Sequence, residues 1–274
     1  MKFSIVTVSF NQAQFLERAI RSVLDQDHGD LEYIVVDPGS SDGSRDIIER
    51  YRSRIAQLIL EPDAGAADGL NKGFARATGE ALGFLNSDDV LLPGALAGAA
   101  GLLQQNPDID VVSGDCQIID EHDHVLRMSY SDRFSLRRYA YGTGILMQPS
   151  TFFRASAYRR TNGFNVENRS NWDGELFVDM AHIGARFARS RKAWSQYRIH
   201  QTSITGTGKL DAAIRVYRER MFRAIVGRPR QAHDRLISAS YRILKYLENP
   251  IAMQQRLLHG PVYRRAQVPA TPSQ

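Results

Sequence analysis

The residues best suited to chemistry are Asn86-Ser87-Asp88-Asp89, where an apolar run from Ala81 to Leu85 ends in two adjacent carboxylates. Hard divalent cations such as Mg²⁺ and Mn²⁺ prefer carboxylate oxygen, and one or two side chains plus substrate phosphates usually hold them. Two acids at the end of a buried strand suit that task. The same residues also suit a polar turn, because Asp and Asn are ordinary turn formers and Pro93-Gly94 ends the run soon afterwards. The elements around them have to decide.

Those elements alternate. Phe3–Val8, Leu31–Val36, Gln57–Leu60 and Ala81–Leu85 are β-rich and short, and helical spacing of apolar residues separates them. The first helix carries Phe15, Leu16, Ala19, Ile20, Val23 and Leu24 on one stripe. A second is predicted from an N-cap at Ser44 to about Ile55, and a third over 67–77. This βαβαβαβ order predicts an α/β fold with a mostly parallel sheet covered on both faces. Ligands of such sheets bind beyond the carboxyl ends of the strands. Asn11, Asp37, Asp63 and Asp88-Asp89 all follow strands, so they should gather along one edge. That shared placement favours the cation-site reading over the turn.

Beyond a helix near 95–105, a strand is expected over 109–119. A hairpin through His122 and His124 follows, with both histidines exposed, then a strand over 125–129 and a mobile polar loop over 132–143. Trp172-Asp173-Gly174-Glu175 opens a helix ending at Gly184, and a strand over 194–199 delivers His200.

The net charge of +5 hides an asymmetry. Residues 205–274 hold 13 of the 35 Lys and Arg but 4 of the 30 Asp and Glu, which places +9 there and −4 on residues 1–204. The expected organisation is one domain over 1–204, in halves of about 1–105 and 106–204. A helical, basic C-terminal extension covers 205–274. Its helical pattern starts at Lys209 and breaks at Gly227-Arg228-Pro229-Arg230 and at Asn249-Pro250. A basic amphipathic segment of this kind can lie on an anionic membrane surface or pack on its own domain. No nucleic-acid reader motif accompanies the charge. Cys116 is the only cysteine, so an intramolecular disulfide is excluded. There is no apolar run of about 18 residues and no signal-peptide pattern at the N-terminus. These features together predict a cytoplasmic protein, and leave both membrane contact at the inner face and packing on the domain open to the tail. Oligomeric state is not readable.

Several segments together carry a resemblance: Thr7-Val8-Ser9-Phe10-Asn11, Asp37-Pro38-Gly39-Ser40-Ser41-Asp42-Gly43-Ser44, Asp63-Ala64-Gly65, Asp68-Gly69-Leu70-Asn71-Lys72-Gly73, Ala77-Thr78-Gly79-Glu80 and Leu85-Asn86-Ser87-Asp88-Asp89. In order and spacing the chain resembles inverting family 2 glycosyltransferases of the GT-A fold over roughly residues 3–205. The resemblance implies transfer of a sugar from a nucleoside diphosphate sugar to a hydroxyl of a saccharide or lipid-linked saccharide, with Mn²⁺ or Mg²⁺ as cofactor. Asp88 matches the last position of the family's DxD-type motif as metal ligand. Asp89 supports it, Asn86 replaces the motif's first acid, and His200 matches a histidine near the metal. Thr7, Ser9, Phe10, Asn11, Asp37, Asp68, Lys72 and Ser87 complete the implied nucleotide-sugar site, with Phe10 against the base and Lys72 on phosphate. Pro38 stands where a second acid is common, so UDP is the default base and dTDP or GDP stay open. Asp173 matches the general base of the family's Asp-x-Asp-Leu-Trp segment, with Trp172 and Glu175 on the acceptor side. The alternative is a protein that keeps the fold and binds a nucleotide sugar without turnover. A sugar-1-phosphate nucleotidyltransferase is disfavoured because Thr7–Asn11 holds no glycine-rich loop.

Overall fold

Two strand faces of opposite destination set the architecture. In β1 (Phe3–Val8) and β2 (Leu31–Val36), Phe3, Ile5, Tyr33 and Val35 enter one apolar core, while Val6, Ile34 and Val36 enter another. A strand buried on both faces needs helices on both sides. A computed structural model, which describes residues 1–200 and 211–260, shows this arrangement. The helix α1 (Ala13–Leu24) buries Phe15, Leu16, Ala19, Ile20 and Val23, and with α4 (Ala95–Gln105) it covers the first face. The second face is covered by α3 (Ala66–Ala75) and α7 (Trp172–His182).

The sheet continues through β3 (Gln57–Ile59), β4 (Ala81–Asn86), β5 (Val90–Leu91), β6 (Val111–Ile119), β7 (Val125–Ser129), β8 (Thr151–Arg154) and β9 (Phe187–Arg198). Its order is β3-β2-β1-β4-β8-β6-β9-β5, with β7 paired to β6. The first four strands are parallel, as the alternation predicts, while β8 runs antiparallel between β4 and β6. The register matters most for function. Val8 pairs with both Val36 and Asn86, so β1, β2 and β4 end level and present Ser9, Asp37 and Ser87 side by side. The third helix sits close above this edge because it carries glycines: a Cβ on Gly73 would come within 2.5 Å of Val6 Cγ1.

Some local expectations change. Ser44 is the first residue of α2 (Ser44–Arg50) and not its cap. Gly43 takes the cap position at φ 95°, and Asp42 accepts from the Ser44 amide and hydroxyl. The helix stops earlier than predicted, giving way to a 3-10 turn at Arg52–Arg54. The expected loop over 132–143 contains α5 (Leu136–Ala140), capped by the Ser135 hydroxyl accepting from Arg138 N. The two-residue β5, too short to show a period, was not predictable. His122 and His124 are exposed as expected. Residues Ala155–Tyr158 form a single turn, α6.

The C-terminal segment forms α8 (Asp211–Val226), α9 (Asp234–Glu248) and α10 (Pro250–His259), with breaks where Gly227 and Pro250 predicted them. The 204/205 boundary and the helix start at Lys209 lie outside the described residues. Helix α8 packs on the body: Phe222 is fully buried against Ala140 and Tyr141, while Tyr217 and Met221 cover Val178. Arg138 pairs with both oxygens of Glu248 at 3.0 and 2.7 Å, and Lys245 reaches Asp132 at 2.9 Å. Removing a buried Phe costs about 3–5 kcal/mol. Phe222→Ala should therefore destabilise the whole chain by that order in urea titration. A loss confined to the α8–α10 signal, with the body's midpoint unchanged, would show the segment to be an independent unit.

Candidate active site

The level strand ends open onto one cavity of about 1440 Å³. Of the residues expected in the site, Ser9, Phe10, Ser87, Asp88, Trp172 and Asp173 line it, as does Asp63. Phe10 is 59% exposed, leaving its ring face open to a planar ligand. Ser9 is buried, and among the described residues its hydroxyl has no hydrogen-bond partner.

Adjacent Asp88 and Asp89 take opposite directions. Asp88 faces the cavity, and its Oδ2 lies 3.1 Å from His200 Nε2. Asp89 is buried beneath it, where its Oδ1 accepts from the Arg198 backbone amide at 3.0 Å. Burial, reinforced by the Asp88 charge, pushes the Asp89 carboxyl well above the usual carboxylate range. Asp89 is therefore placed as a structural residue and not as the supporting metal ligand expected. Asn86 turns to Gln148 Oε1 at 3.3 Å. The imidazole of His200 is buried against Phe15, with ring centroids 4.8 Å apart.

These groups depend on Arg198, the largest fully buried side chain. Its Nε donates to the Asp88 carbonyl at 2.8 Å and its Nη1 to the Asp120 carbonyl at 2.8 Å, while Nη2 pairs with Asp123 at 2.6 Å. The guanidinium also lies over the Phe15 ring.

Several expected residues have other positions. Thr7 is in the core, accepting from the Tyr33 hydroxyl. Asn11, at φ 51°, bonds across to Ser40 and Ser41 and braces two loops. Asp37 is fully buried; Oδ1 accepts from the Gly39 and Ser40 amides and Arg45 Nε, and Oδ2 has no partner among the described residues. Asp68 accepts from the Ala64 amide and pairs with Lys72, which lowers its pKa, while Lys72 also donates to the Pro62 carbonyl. That pair shapes the Asp63–Gly65 turn and does not line the cavity. Glu175 is likewise turned away. It accepts from Asn165, Asn168 and Arg220, tying α7 to its preceding loop and to α8. This clamp replaces the acceptor contact expected of Glu175.

Asp173, on the first turn of α7, lines the cavity, and burial raises its pKa against the opposing pull of its own and the Gly174 amides. The sequence reading missed its neighbours. Tyr139 of α5 approaches Gly174 so closely that a Cβ there would run into its hydroxyl, which lies 3.0 Å from the Tyr217 hydroxyl of α8. Both tyrosines are cavity residues, and burial raises their pKa values. No spacing in the sequence relates positions 139, 173 and 217.

The model of glycosyl transferase family 2 matches residues 4–162. The chain belongs to that family. A teichuronic acid biosynthesis glycosyltransferase of Bacillus subtilis, TuaG, is 44% identical over 89 residues, which are 31% of this chain and 35% of TuaG. Aligned parts cover only 40% and 35% of two curated relatives. In fold, the chain resembles residues 1–349 of S. aureus TarS in complex with UDP-GlcNAc (TM-score 0.68, 18% identity, 96% of this chain and 77% of that one). It also resembles the mannosyltransferase PcManGT of Pyrobaculum calidifontis in complex with GDP-Man and Mn²⁺ (TM-score 0.65, 20% identity, 94% and 73%). The fold is therefore GT-A, as the sequence implied.

Breaking a buried charged network leaves acceptors unpaired and costs on the order of 3 kcal/mol. Arg198→Ala should lower unfolding stability by about that amount, and Arg198→Lys should recover only part of it because an ammonium lacks the planar fork. Full recovery by Lys in urea titration would contradict the role given to the three-way guanidinium contact.

Proposed function

We propose that this protein transfers a sugar, with inversion, from a nucleoside diphosphate sugar to a hydroxyl of a saccharide or lipid-linked saccharide, with UDP-sugar as the default donor. The observation that carries this reading is that one cavity is lined both by Asp88, paired with His200, and by Asp173, a carboxylate made more basic by burial. The donors bound by TarS and PcManGT support the substrate class, and the Mn²⁺ of the latter supports a divalent cation.

The residues present fit such an ion. Among the described residues no cluster of three His, Cys, Asp or Glu side chains exists. Asp88 and His200 would therefore hold it as two protein ligands, leaving coordination positions to diphosphate oxygens and water, the usual arrangement for Mg²⁺ and Mn²⁺. When bound, the ion offsets negative charge on the departing diphosphate. Phe10 offers its face to the base, and the unpartnered Ser9 hydroxyl offers a hydrogen bond. Asp173 takes the proton of the acceptor hydroxyl as it attacks the anomeric carbon, and the single displacement inverts that centre.

A base with a raised pKa is deprotonated only at higher pH than an ordinary Asp. Activity should therefore be lost on the acid side at a higher pH than an ordinary Asp would set. Asp173→Asn should cost about 10²–10⁴-fold in kcat while leaving donor affinity in place. Asp88→Ala should abolish the Mn²⁺-dependent thermal shift by UDP-sugars. Metal-dependent binding without turnover on any acceptor would instead favour a nucleotide-sugar-binding scaffold, and retained configuration in the product would overturn inversion.

We further propose that α9 and α10 rest on an anionic bilayer. Leu236, Ile243 and Leu247 form one exposed stripe on α9, and Ile251, Leu257 and Leu258 are exposed on α10, with Arg235 and Arg256 beside them. Apolar side chains flanked by cations complement an anionic interface. Among the described residues no helix is long and apolar enough to cross a membrane. Replacing Leu236, Leu247 and Leu257 together with Ser should reduce binding to phosphatidylglycerol vesicles at least tenfold. Unchanged binding would remove the membrane role.

A further inference from the structure

The segment that supplies Tyr217 also supplies cations to the Asp173 end of the cavity. Arg215 and Arg218 are three residues apart on α8, on the face that presents Ile214, Tyr217 and Met221 to the same space, and Arg242 reaches the cavity from α9. Residues three and four apart share a helix face, so these side chains converge on one wall. Their neighbours in the segment are committed elsewhere. Arg220 pairs with Glu175, Arg228 with Asp234, and Arg223 with Glu219. Arg230, which also touches the cavity, is held by the Ala140 carbonyl, by Glu219 and by the Phe222 ring. Arg215, Arg218 and Arg242 have no ion pair or hydrogen bond among the described residues. Glu219, the one acidic residue that α8 adds to this wall, is already engaged by Arg223 and Arg230.

Uncommitted like charges on a concave wall repel one another and raise the local positive potential, which attracts an anion. The guanidinium fork matches the geometry of a phosphate or carboxylate. The wall adjoins Asp173 through the Tyr217–Tyr139 hydroxyl contact, whereas the Asp88–His200 pair that suits a diphosphate and its cation is built on β4 and the end of β9. We infer that Arg215, Arg218 and Arg242 form an oxyanion subsite for the acceptor, so that the protein acts on a saccharide bearing phosphate or carboxylate. The inference rests on the assignment of the Asp173 end to the acceptor.

The test is isothermal titration of the full chain, saturated with UDP and Mn²⁺, against three probes: an octyl glucoside, its 6-phosphate and octyl glucuronide, each below its micellar concentration. At least tenfold tighter binding of a charged probe than of the neutral glucoside is expected, and the tighter of the two anions identifies phosphate or carboxylate as the natural group. Arg215→Gln/Arg218→Gln/Arg242→Gln should abolish that preference, leave the neutral probe unaffected and keep UDP affinity within twofold. Because all three side chains are exposed, the variant should melt with the wild type, and single Gln variants with partial losses provide the same reading if it does not. Equal binding of charged and neutral probes overturns the subsite. A variant that loses UDP affinity instead assigns the arginines to the donor and overturns it as well. Failure of UDP itself to bind the wild type would refute the donor reading separately.

Discussion

The Arg198 guanidinium is the interaction on which the site geometry depends. A fully buried cation is tolerable only when its donors are matched, and here they are shared among two backbone carbonyls and one carboxylate on two turns. The carbonyls belong to Asp88 and Asp120, so the turn after β4 and the turn after β6 are held to the same planar group. The Arg198 amide then takes Asp89 as its acceptor, which turns that carboxylate inward and leaves Asp88 as the one that faces the cavity. Two residues further along the chain, His200 is delivered to Asp88. Residue 198 thereby orders Asp88, Asp89 and His200 through its side chain, its amide and its place in the chain.

The second constraint is the level ending of β1, β2 and β4. Parallel pairing with Val8, Val36 and Asn86 in line means that each following residue emerges at the same height. The loops after these strands are stiffened by one another: Asn11 bonds to the Ser40–Ser41 backbone and hydroxyl, Asp42 accepts from the first amides of both α1 and α2, and Asp37 gathers the Gly39 and Ser40 amides. Much of the polar sequence in this family motif therefore braces the loops around the cavity. Removing one of these groups would act through the shape of the wall.

The C-terminal helices alter the meaning of the charge asymmetry. As composition, +9 on residues 205–274 reads as a detachable basic tail. In the fold, part of that charge is neutralised by carboxylates of the body, through Arg220 with Glu175, and of the tail itself, through Arg228 with Asp234. Part lines the cavity, and part flanks an exposed apolar stripe. The apolar residues divide in the same way, with Phe222 and Tyr217 buried and Leu236 and Leu247 exposed.

Strand and helix alternation, the parallel half of the sheet and the placement of acids after strands were legible in the sequence, because residue periods of 2 and 3.6 and the stop signals of Gly and Pro are local properties. Membership of the family was legible from six short segments for the same reason: most are loops at strand ends, one lies within α3, and the chemistry of each is written in consecutive residues. The sequence also determined that Asp88 and Asp173 are chemically equipped for the roles proposed for them. Only the tertiary structure decided which of two adjacent aspartates faces the cavity, since past the end of a strand the alternation of sides no longer applies and a distant amide, that of Arg198, selects between them. It alone showed Glu175 captured by Asn165, Asn168 and Arg220, Lys72 held by Asp68 and Pro62, and the Tyr139–Tyr217 contact beside Asp173. Apart from the i,i+4 pair of Asp68 with Lys72, those pairings join residues 7 to 78 positions apart, and a polar group's partner across such a distance is set by packing, not by its neighbours in the chain.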